Sequence, residues 1–233
     1  SPARRYMDEP SFKWFCFTVT LSERFPVSSA TSAVMIFVVL AIASSFSVFF
    51  PVSTRPLPAS IRMNASAPVC GALCAAAQDA AQKLGFQCRM LTDCLDCEAR
   101  EAGRFLASIA RSHQQTERPL AFFAGGETVV HLTGQGLGGR NQELALAAAP
   151  GLRGTQNTAV CSFGSDGTDG PTDAAGGFVD QSSDAALRAA GLDVPQVLAE
   201  NDAYHALQKI GGLLMTGPTG TNVNDLAMIL IWR

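Results

Sequence analysis

Short apolar runs alternate with helical stretches through most of the chain, and this alternation restricts the fold more than any other feature of the sequence. Residues 70–83 are rich in Ala, and residues 98–111 repeat apolar side chains at helical spacing, so both are predicted helices. Strand character is found in four further runs, at residues 86–91, 120–124, 158–163 and 226–232. Helices that alternate with short apolar strands predict an α/β fold, with helices packed on a sheet.

The predicted sheet is mixed rather than wholly parallel. Residues 128–132 form a further predicted strand, separated from the run at 120–124 by the short turn Gly125-Gly126. Parallel strands need a crossover of a dozen or more residues, so such a short turn requires an antiparallel pair.

The 233 residues divide into three unequal stretches. Residues 1–63 form an extension with an apolar segment at 33–50, residues 64–117 a helix-strand-helix stretch, and residues 118–233 the main domain. The apolar segment is interpreted as foreign to the folded domain; a membrane anchor is the alternative, because its length approaches that of a membrane-spanning helix.

Charge and cysteine content restrict the class of binding partner and the cellular compartment. The formal net charge is -3 with no basic block, which argues against a nucleic-acid partner. Seven Cys cannot all pair within one chain, so a reducing cytoplasm is expected. The pairs Cys70/Cys74 and Cys94/Cys97 have spacing that loosely resembles a zinc site, but small thiols on an Ala-rich helix are better explained by packing, and no metal site is predicted.

The first polar motif is the glycine pattern of residues 134–139, followed by Arg140-Asn141-Gln142-Glu143 at a predicted helix start. The pattern matches the dinucleotide-binding fingerprint, which keeps an NAD-linked reductase as an alternative. Exposed amides at a helix N-terminus bind any phosphate or carboxylate, and Arg140 can fork onto an anion. A plain helix start, with Glu143 favoured by the helix dipole, is the structural alternative.

Two further polar loops follow predicted strands. Residues 164–173 carry the carboxylates of Asp166, Asp169 and Asp173 on a glycine-rich loop, where open α/β sheets place ligands; ordinary Asp-Gly turns are the alternative. Residues 216–225 bring hydroxyls and amides together but lack the Lys-Ser/Thr of a P-loop. Neither H-E-x-x-H nor G-x-S-x-G occurs, which argues against zinc proteases and α/β-hydrolases.

Five motifs in one order resemble the C-terminal (MOFRL) domain of type-2 glycerate kinases. They are residues 125–128, 136–143, 166–176, 201–202 and 216–225. Residues 64–111 resemble the stretch just upstream in the same family, so the similarity extends from about Asn64 to the C-terminus.

The resemblance implies transfer of the ATP γ-phosphate to the 2-hydroxyl of D-glycerate, with Mg²⁺, in a cleft shared with a larger N-terminal domain. It implies that Arg140 holds the substrate carboxylate or a phosphoryl oxygen, and that Asp166 and Asp169 orient a hydroxyl or the Mg²⁺ shell. The substrate- or nucleotide-binding residues that it implies are Glu127, Gly138, Gly139, Asn141, Gln142, Glu143, Asp173, Thr219, Asn222, Asn224 and Asp225.

One departure from the family concerns the missing half of this cleft. The family's N-terminal domain, with a lysine near the transferred phosphate, has no counterpart here, since Lys13, Lys83 and Lys209 match none of its motifs. The isolated chain is therefore expected to show little or no kinase turnover. An NAD(P)-dependent hydroxypyruvate reductase and a non-catalytic ligand-binding module, tethered to a membrane through 33–50, remain the alternatives.

Overall fold

The computed structural model describes residues 69–220 and 222–233. The apolar segment at 33–50 lies outside them, and none of the described helices is long and apolar enough to cross a membrane. The α-helices are α1 (Val69–Lys83), α2 (Ala99–Ser112), α3 (Arg140–Ala148), α4 (Ser183–Ala189), α5 (Val194–Ala199) and α6 (Ala203–Lys209). The strands are β1 (Gln87–Leu95), β2 (Leu120–Gly126), β3 (Thr158–Gly164), β4 (Gly176–Asp180), β5 (Leu213–Leu214) and β6 (Asp225–Ile231).

In the described part of the chain, these strands form a single mixed sheet in the order β1-β2-β6-β3-β4-β5. β1 runs parallel to β2, whereas β6 lies between β2 and β3 and is antiparallel to both. β4 and β5 extend the sheet with antiparallel pairs. The predicted α/β fold with a mixed sheet is confirmed, and β1 joins the stretch at 64–117 to the same sheet as the main domain.

The strand predicted at residues 128–132 is wrong, although the mixed sheet that it was used to predict is right. Gly125 and Gly126 are the last residues of β2 rather than a turn, and the chain then enters a loop at residues 127–139. Val129 forms an isolated β-bridge to Glu98 but no extended strand pairing. The antiparallel pairing comes instead from β6, which is contributed by the end of the chain.

The core lies on both faces of the sheet. β2, β3 and β6 are buried at every position, which explains why they are continuous apolar runs in the sequence. Alternate side chains point to opposite faces. Phe122 and Ile229 pack on the face covered by α2 and α3, whereas Phe123 and Met228 pack on the face covered by α1.

The end of β2, the end of β3 and the start of β6 lie side by side at the same end of the sheet, where the polar motifs lie. Asp225, the first residue of β6, is in register with Gly126 at the end of β2 and with Gly164 at the end of β3. We use the name loop edge for this end of the strands together with the loops that leave it, at residues 127–139, 165–175 and 215–224. The topology thus brings together three segments that are far apart in the sequence.

Candidate functional site

Arg140 is the first residue of α3 and is held by two carboxylates. Its Nε donates to Oδ2 of Asp225 at 2.5 Å and its Nη2 donates to Oδ1 at 3.2 Å, while Nη1 lies 2.9 Å from Oε1 of Glu127. The hydrogen bond to Asp225 raises the pKa of Arg140, so the guanidinium stays charged. The Arg140 side chain is 36% exposed, and this ion pair therefore lies at the surface of the loop edge.

Asp166 lies beside this ion pair. A Cβ atom built on Gly164 would be 3.1 Å from Oδ1 of Asp166 and 3.4 Å from Oδ1 of Asp225, so the two carboxylates flank the same glycine. Burial raises the pKa of Asp225, and the Arg140 guanidinium opposes this effect. The structure therefore brings Arg140, Asp166 and Asp225 together, and their contact with a ligand stays a prediction.

The third polar motif is joined to the second by hydrogen bonds from backbone amides. The Ser165 amide donates to the Asn224 carbonyl at 3.1 Å, and the Val223 amide donates to the Ser165 hydroxyl at 2.7 Å. The Thr219 amide donates to the Asp166 carbonyl at 3.1 Å. Thr219, Val223 and Asn224 are thereby held next to Ser165 and Asp166.

The predicted binding residues of this third loop differ in exposure. Thr219 and Asn222 are exposed, and Asn224 is half-buried with a φ of 71°. The Asn222 Oδ1 accepts a hydrogen bond from the Asn224 amide at 3.3 Å, so its side chain shapes the turn before β6. Their contact with a ligand stays a prediction.

Asp169 has a different environment from Asp166, although both lie on one loop. Asp169 is 3% exposed, and its carboxylate accepts the backbone N–H groups of Asn141 at 3.1 Å and Gln142 at 2.8 Å. It therefore occupies the anion position at the N-terminus of α3 that the sequence suggested for a ligand. Burial raises the pKa of Asp169 to about 6, against these hydrogen bonds, which lower it.

The three residues after Arg140 point into the protein. Asn141 and Gln142 are 1% and 0% exposed, and the Asn141 Oδ1 accepts a hydrogen bond from the Ser162 hydroxyl at 2.5 Å. The Gln142 amide donates to the Thr172 hydroxyl at 2.7 Å. Their predicted contact with substrate stays untested, and in this structure their side chains bond to other protein groups.

Glu143, one turn along α3, is buried as well. Its Oε1 accepts a hydrogen bond from Nε of Arg100 at 3.0 Å, and its Oε2 accepts one from Asn201 at 3.2 Å. Burial raises the pKa of Glu143, and the bonds to Asn201 and Arg100 oppose this effect. Among the four polar residues that begin α3, Arg140 is the one that is partly exposed at the loop edge, whereas Asn141 and Gln142 bond to Asp169 and Thr172 of the same loops from the buried side.

The remaining predicted residues, Asp173, Gly138 and Gly139, lie around the same loops. Asp173 accepts a hydrogen bond from the Tyr204 hydroxyl at 2.8 Å. A Cβ atom on Gly139 would lie 2.3 Å from Cγ of Asp169, so glycine is needed for the carboxylate to reach α3. On Gly138 the nearest atom to such a Cβ would be the Ala203 Cβ, at 3.3 Å.

The other glycines of the pattern at 134–139 serve packing within the protein. A Cβ atom on Gly134 would lie 2.3 Å from the Cα of Glu200, and one on Gly136 would lie 2.5 Å from the Asp202 Cβ. The pattern also follows a loop rather than a strand. Because a dinucleotide fingerprint places its glycines in a tight strand-to-helix turn, the structural context for that interpretation is missing.

Two residues with structural importance at the site were not predicted from the sequence. Asn201 and Arg100 both bond to Glu143, and Asn201 also bonds to the loop at 127–139. Asn201 was part of a matched motif but had no role assigned. Its partners lie more than 50 residues away in the sequence, so no local pattern indicates them.

The carboxylates of the site differ in how well they suit a metal ion. Among the described residues, no three His, Cys, Asp or Glu side chains are placed to hold a metal ion. Mg²⁺ commonly takes one or two carboxylates together with phosphate oxygens, and Asp166 fits this pattern because it is half-buried at the loop edge. Asp225 and Asp169 are already engaged by Arg140 and by the start of α3.

The cysteines that resembled a zinc site are split between the core and the surface. Cys70 and Cys74 are buried, and a Cβ atom on Gly125 would lie 2.3 Å and 2.5 Å from their Sγ atoms. Cys94 and Cys97 are exposed. The pair on α1 therefore packs closely against the backbone of β2.

Comparison with known proteins gives a consistent set of similarities. The model of the MOFRL family matches residues 120–225. A D-glycerate 2-kinase of Thermotoga maritima is 56% identical over 163 residues, which are 68% of this chain and 39% of that protein. The crystal structure of a glycerate kinase from Thermotoga maritima superposes with a TM-score of 0.66 at 56% identity, over 68% of this chain and 39% of that chain.

Another relative, from Agrobacterium vitis, is provisionally named a hydroxypyruvate reductase and is 42% identical over 162 residues. Those residues are 67% of this chain and 37% of that protein. The chain thus spans about two fifths of the length of the curated relatives that it matches.

Proposed function

Because residues 120–225 are a MOFRL family domain, we propose that this chain is the carboxyl-terminal part of a glycerate 2-kinase whose loop edge forms one wall of the substrate site. The observation that carries the proposal is the partly exposed Arg140 guanidinium, held by Asp225 beside Asp166. The substrate proposed is D-glycerate, and the phosphate donor is ATP. The 56% identity to a D-glycerate 2-kinase supports this choice.

The geometry suits recognition of an anion. A guanidinium is a fork of donors that matches the oxygens of a carboxylate or a phosphoryl group. Asp225 holds Arg140 with two bonds, whereas Glu127 makes a single ion pair and is 58% exposed. An incoming carboxylate or phosphoryl oxygen therefore takes the place of Glu127 more readily than that of Asp225.

Asp166 supplies the second chemical group. Its carboxylate can accept a hydrogen bond from the 2-hydroxyl of D-glycerate, or it can bind the Mg²⁺ that accompanies ATP and neutralises phosphate charge. Phosphoryl transfer depends on positioning and on charge stabilisation rather than on a covalent nucleophile. Arg140 and Asp166 serve these two needs, which supports the assignment.

The proposal leaves one wall of the site to another part of the enzyme. Lys83 ends α1 before the start of β1, at the end of the sheet opposite the loop edge, and it pairs with Asp79. The chain aligns with about two fifths of the D-glycerate 2-kinase that it matches. We therefore expect the chain alone to release ADP slowly or not at all.

The proposed compartment is the cytoplasm, where ATP is available and thiols stay reduced. Support comes from the cysteines of the described residues, all of which are free.

The test combines a coupled ADP-release assay with ligand titrations of the purified chain. We expect binding of D-glycerate and of ATP·Mg²⁺, weaker ATP·Mg²⁺ binding in Asp166→Asn, and no change in Asp79→Asn, a carboxylate paired with Lys83 on α1. Rapid turnover by the chain alone would contradict the expected incompleteness. A folded chain that binds neither ligand would contradict the proposed function.

The reductase alternative rests on the name of a relative and on the glycine pattern. The packing of Gly134 and Gly136 against residues 200–202 removes the structural argument for that pattern. A titration with NADH separates the two functions: we expect no binding. Tight NADH binding that is lost in Gly136→Val, in a variant that still folds, would favour the reductase.

A further inference from the structure

We propose that Asn201 is a positioning residue, which holds the loop at 127–139 against α3 and so fixes the geometry of Glu127 and Arg140. The inference deepens the proposed function and rests on it for the identity of the ligand. Asn201 lies in the turn between α5 and α6, has a φ of 54° and is 6% exposed.

A single amide group uses its full hydrogen-bonding capacity at this point. The Asn201 Oδ1 accepts the amide N–H of Thr133 at 2.7 Å and that of Gly134 at 2.9 Å. Its Nδ2 donates to the His131 carbonyl at 3.1 Å and to Oε2 of Glu143 at 3.2 Å. An Asn side chain offers two donors and two acceptor sites, so all four are engaged.

The neighbouring residues attach the same loop at further points. The Leu137 amide donates to Oδ1 of Asp202 at 3.0 Å, and the Gly136 amide donates to the Glu200 carbonyl at 2.8 Å. The glycines at 134 and 136 allow this close approach of the two backbones. Residues 200–202 thus replace the strand partner that this loop lacks.

The contact with Glu143 connects the loop to the helix that carries Arg140. Glu143 is three residues after Arg140, and Arg100 holds its other carboxylate oxygen. The loop begins at Glu127 and ends next to Arg140, the two residues whose side chains form an ion pair. Fixing the middle of the loop to α3 therefore fixes both ends, and this reduces the ordering that a ligand would have to impose.

The test variant is Asn201→Gly, because glycine accepts a φ of 54° without strain and removes only the side chain. The matched control is Asn157→Gly: Asn157 has a φ of 48°, precedes β3 at the opposite edge of the sheet, and its side chain makes no hydrogen bond with the described residues. Three quantities are measured on the full chain well below its unfolding temperature. They are amide exchange at Thr133 and Gly134, the NMR signal and exchange rate of the Arg140 Nε–H, and the Kd for D-glycerate.

In Asn201→Gly we expect amide exchange at Thr133 and Gly134 to be about tenfold faster, which is the factor that corresponds to one typical hydrogen bond. We expect the Arg140 Nε–H to exchange faster and the Kd for D-glycerate to rise by about the same factor. Asn157→Gly should leave all three within about twofold of the unsubstituted chain. Unchanged Arg140 exchange in Asn201→Gly would overturn the positioning role, even if the variant is less stable.

If Asn201→Gly does not fold, Asn201→Asp takes its place. The acceptor oxygen for Thr133 and Gly134 is then kept, while the donors to Glu143 and to the His131 carbonyl are lost and a second carboxylate faces Glu143. We therefore expect slow exchange of the Thr133 and Gly134 amides but a faster-exchanging Arg140 Nε–H. Slow exchange at all three would contradict the inference. If the unsubstituted chain binds no D-glycerate, the proposed ligand fails, whereas the exchange measurements still decide the role of Asn201.

Discussion

Replacing Asp169 by Ala should destabilise the fold far more than replacing Asp166, three residues earlier on the same loop. Asp169→Ala leaves three N–H donors at the start of α3 without an acceptor: the amides of Asn141 and Gln142 and the Asn141 side chain. A buried donor left unpaired costs roughly 1–3 kcal/mol. Two effects reduce this cost: water can enter the space left by the side chain and solvate the donors, and the variant lacks a poorly solvated buried carboxylate. We therefore expect a net loss of roughly 2–4 kcal/mol in the free energy of unfolding at pH 7.

Asp166→Ala removes a half-buried carboxylate whose Oδ1 accepts the Thr168 amide at 3.0 Å. The expected loss for this matched control is roughly 0.5–1 kcal/mol. Urea unfolding of both variants and of the unsubstituted chain, followed by circular dichroism, gives the three free energies of unfolding.

The pH dependence of this difference tests the environment of Asp169. Its pKa rises from 3.8 to about 6 on folding, so the folded state binds its proton more tightly. The stability that Asp169 contributes is therefore complete below about pH 4 and declines as the pH rises through 6, by about 3 kcal/mol in total. Roughly 1 kcal/mol of this decline falls between pH 5 and pH 7.

Asp169→Ala should accordingly cost more stability at pH 5 than at pH 7. If both aspartate variants lose the same stability, Asp169 does not hold the start of α3. If the loss is smaller at pH 5, the hydrogen bonds outweigh burial and the carboxylate is ionised more readily than we infer.

Three further changes test neighbouring parts of the account. Gly139→Ala should lower the free energy of unfolding by roughly 1–3 kcal/mol, because the new Cβ would overlap Asp169. In Gly138→Ala the new Cβ meets no atom closer than 3.3 Å, so this variant should lose less stability, and equal losses would contradict this packing. Glu127→Gln should tighten D-glycerate binding by about two- to fivefold in a titration, since an exposed ion pair of modest strength no longer competes for Arg140; weaker binding would show that Glu127 contacts the ligand. Iodoacetamide at pH 8 should modify the exposed Cys94 and Cys97 before Cys88 and the buried Cys161, since burial raises the pKa of Cys88 to about 11 and that of Cys161 as well. Peptide mass spectrometry would show the order, and early modification of Cys161 would contradict the described core.

The core elements could be predicted because local patterns determine them. Continuous apolar runs indicated β2, β3 and β6, and these strands are buried on both faces. The run at 128–132 also contains apolar residues but folds as a loop: the Val129 backbone bonds to Cys97 and Ala99, and the His131 carbonyl accepts a hydrogen bond from the Asn201 side chain. Such a distant partner leaves no trace in the local pattern.

The candidate site could be predicted only in part. Adjacent residues on a helix point about 100° apart, so proximity to Arg140 in the sequence did not mean that Asn141 and Gln142 share its surface. Asp166 and Asp169 look equivalent in an Asp-Gly loop, yet Asp166 is half-buried beside Asp225 whereas Asp169 is buried under α3. The sequence identified which loops meet but not which side chains in them face outward.

The most direct test of the central claim is the affinity for D-glycerate, measured by calorimetry or NMR titration for the chain and for two arginine variants. Arg140→Gln removes the guanidinium at the loop edge. Arg153→Gln removes an exposed arginine that precedes β3 and pairs with Asp184 on α4. We expect Arg140→Gln to abolish saturable binding and Arg153→Gln to leave the Kd unchanged. Equal affinity in all three folded proteins would contradict the conclusion that Arg140 binds the anion.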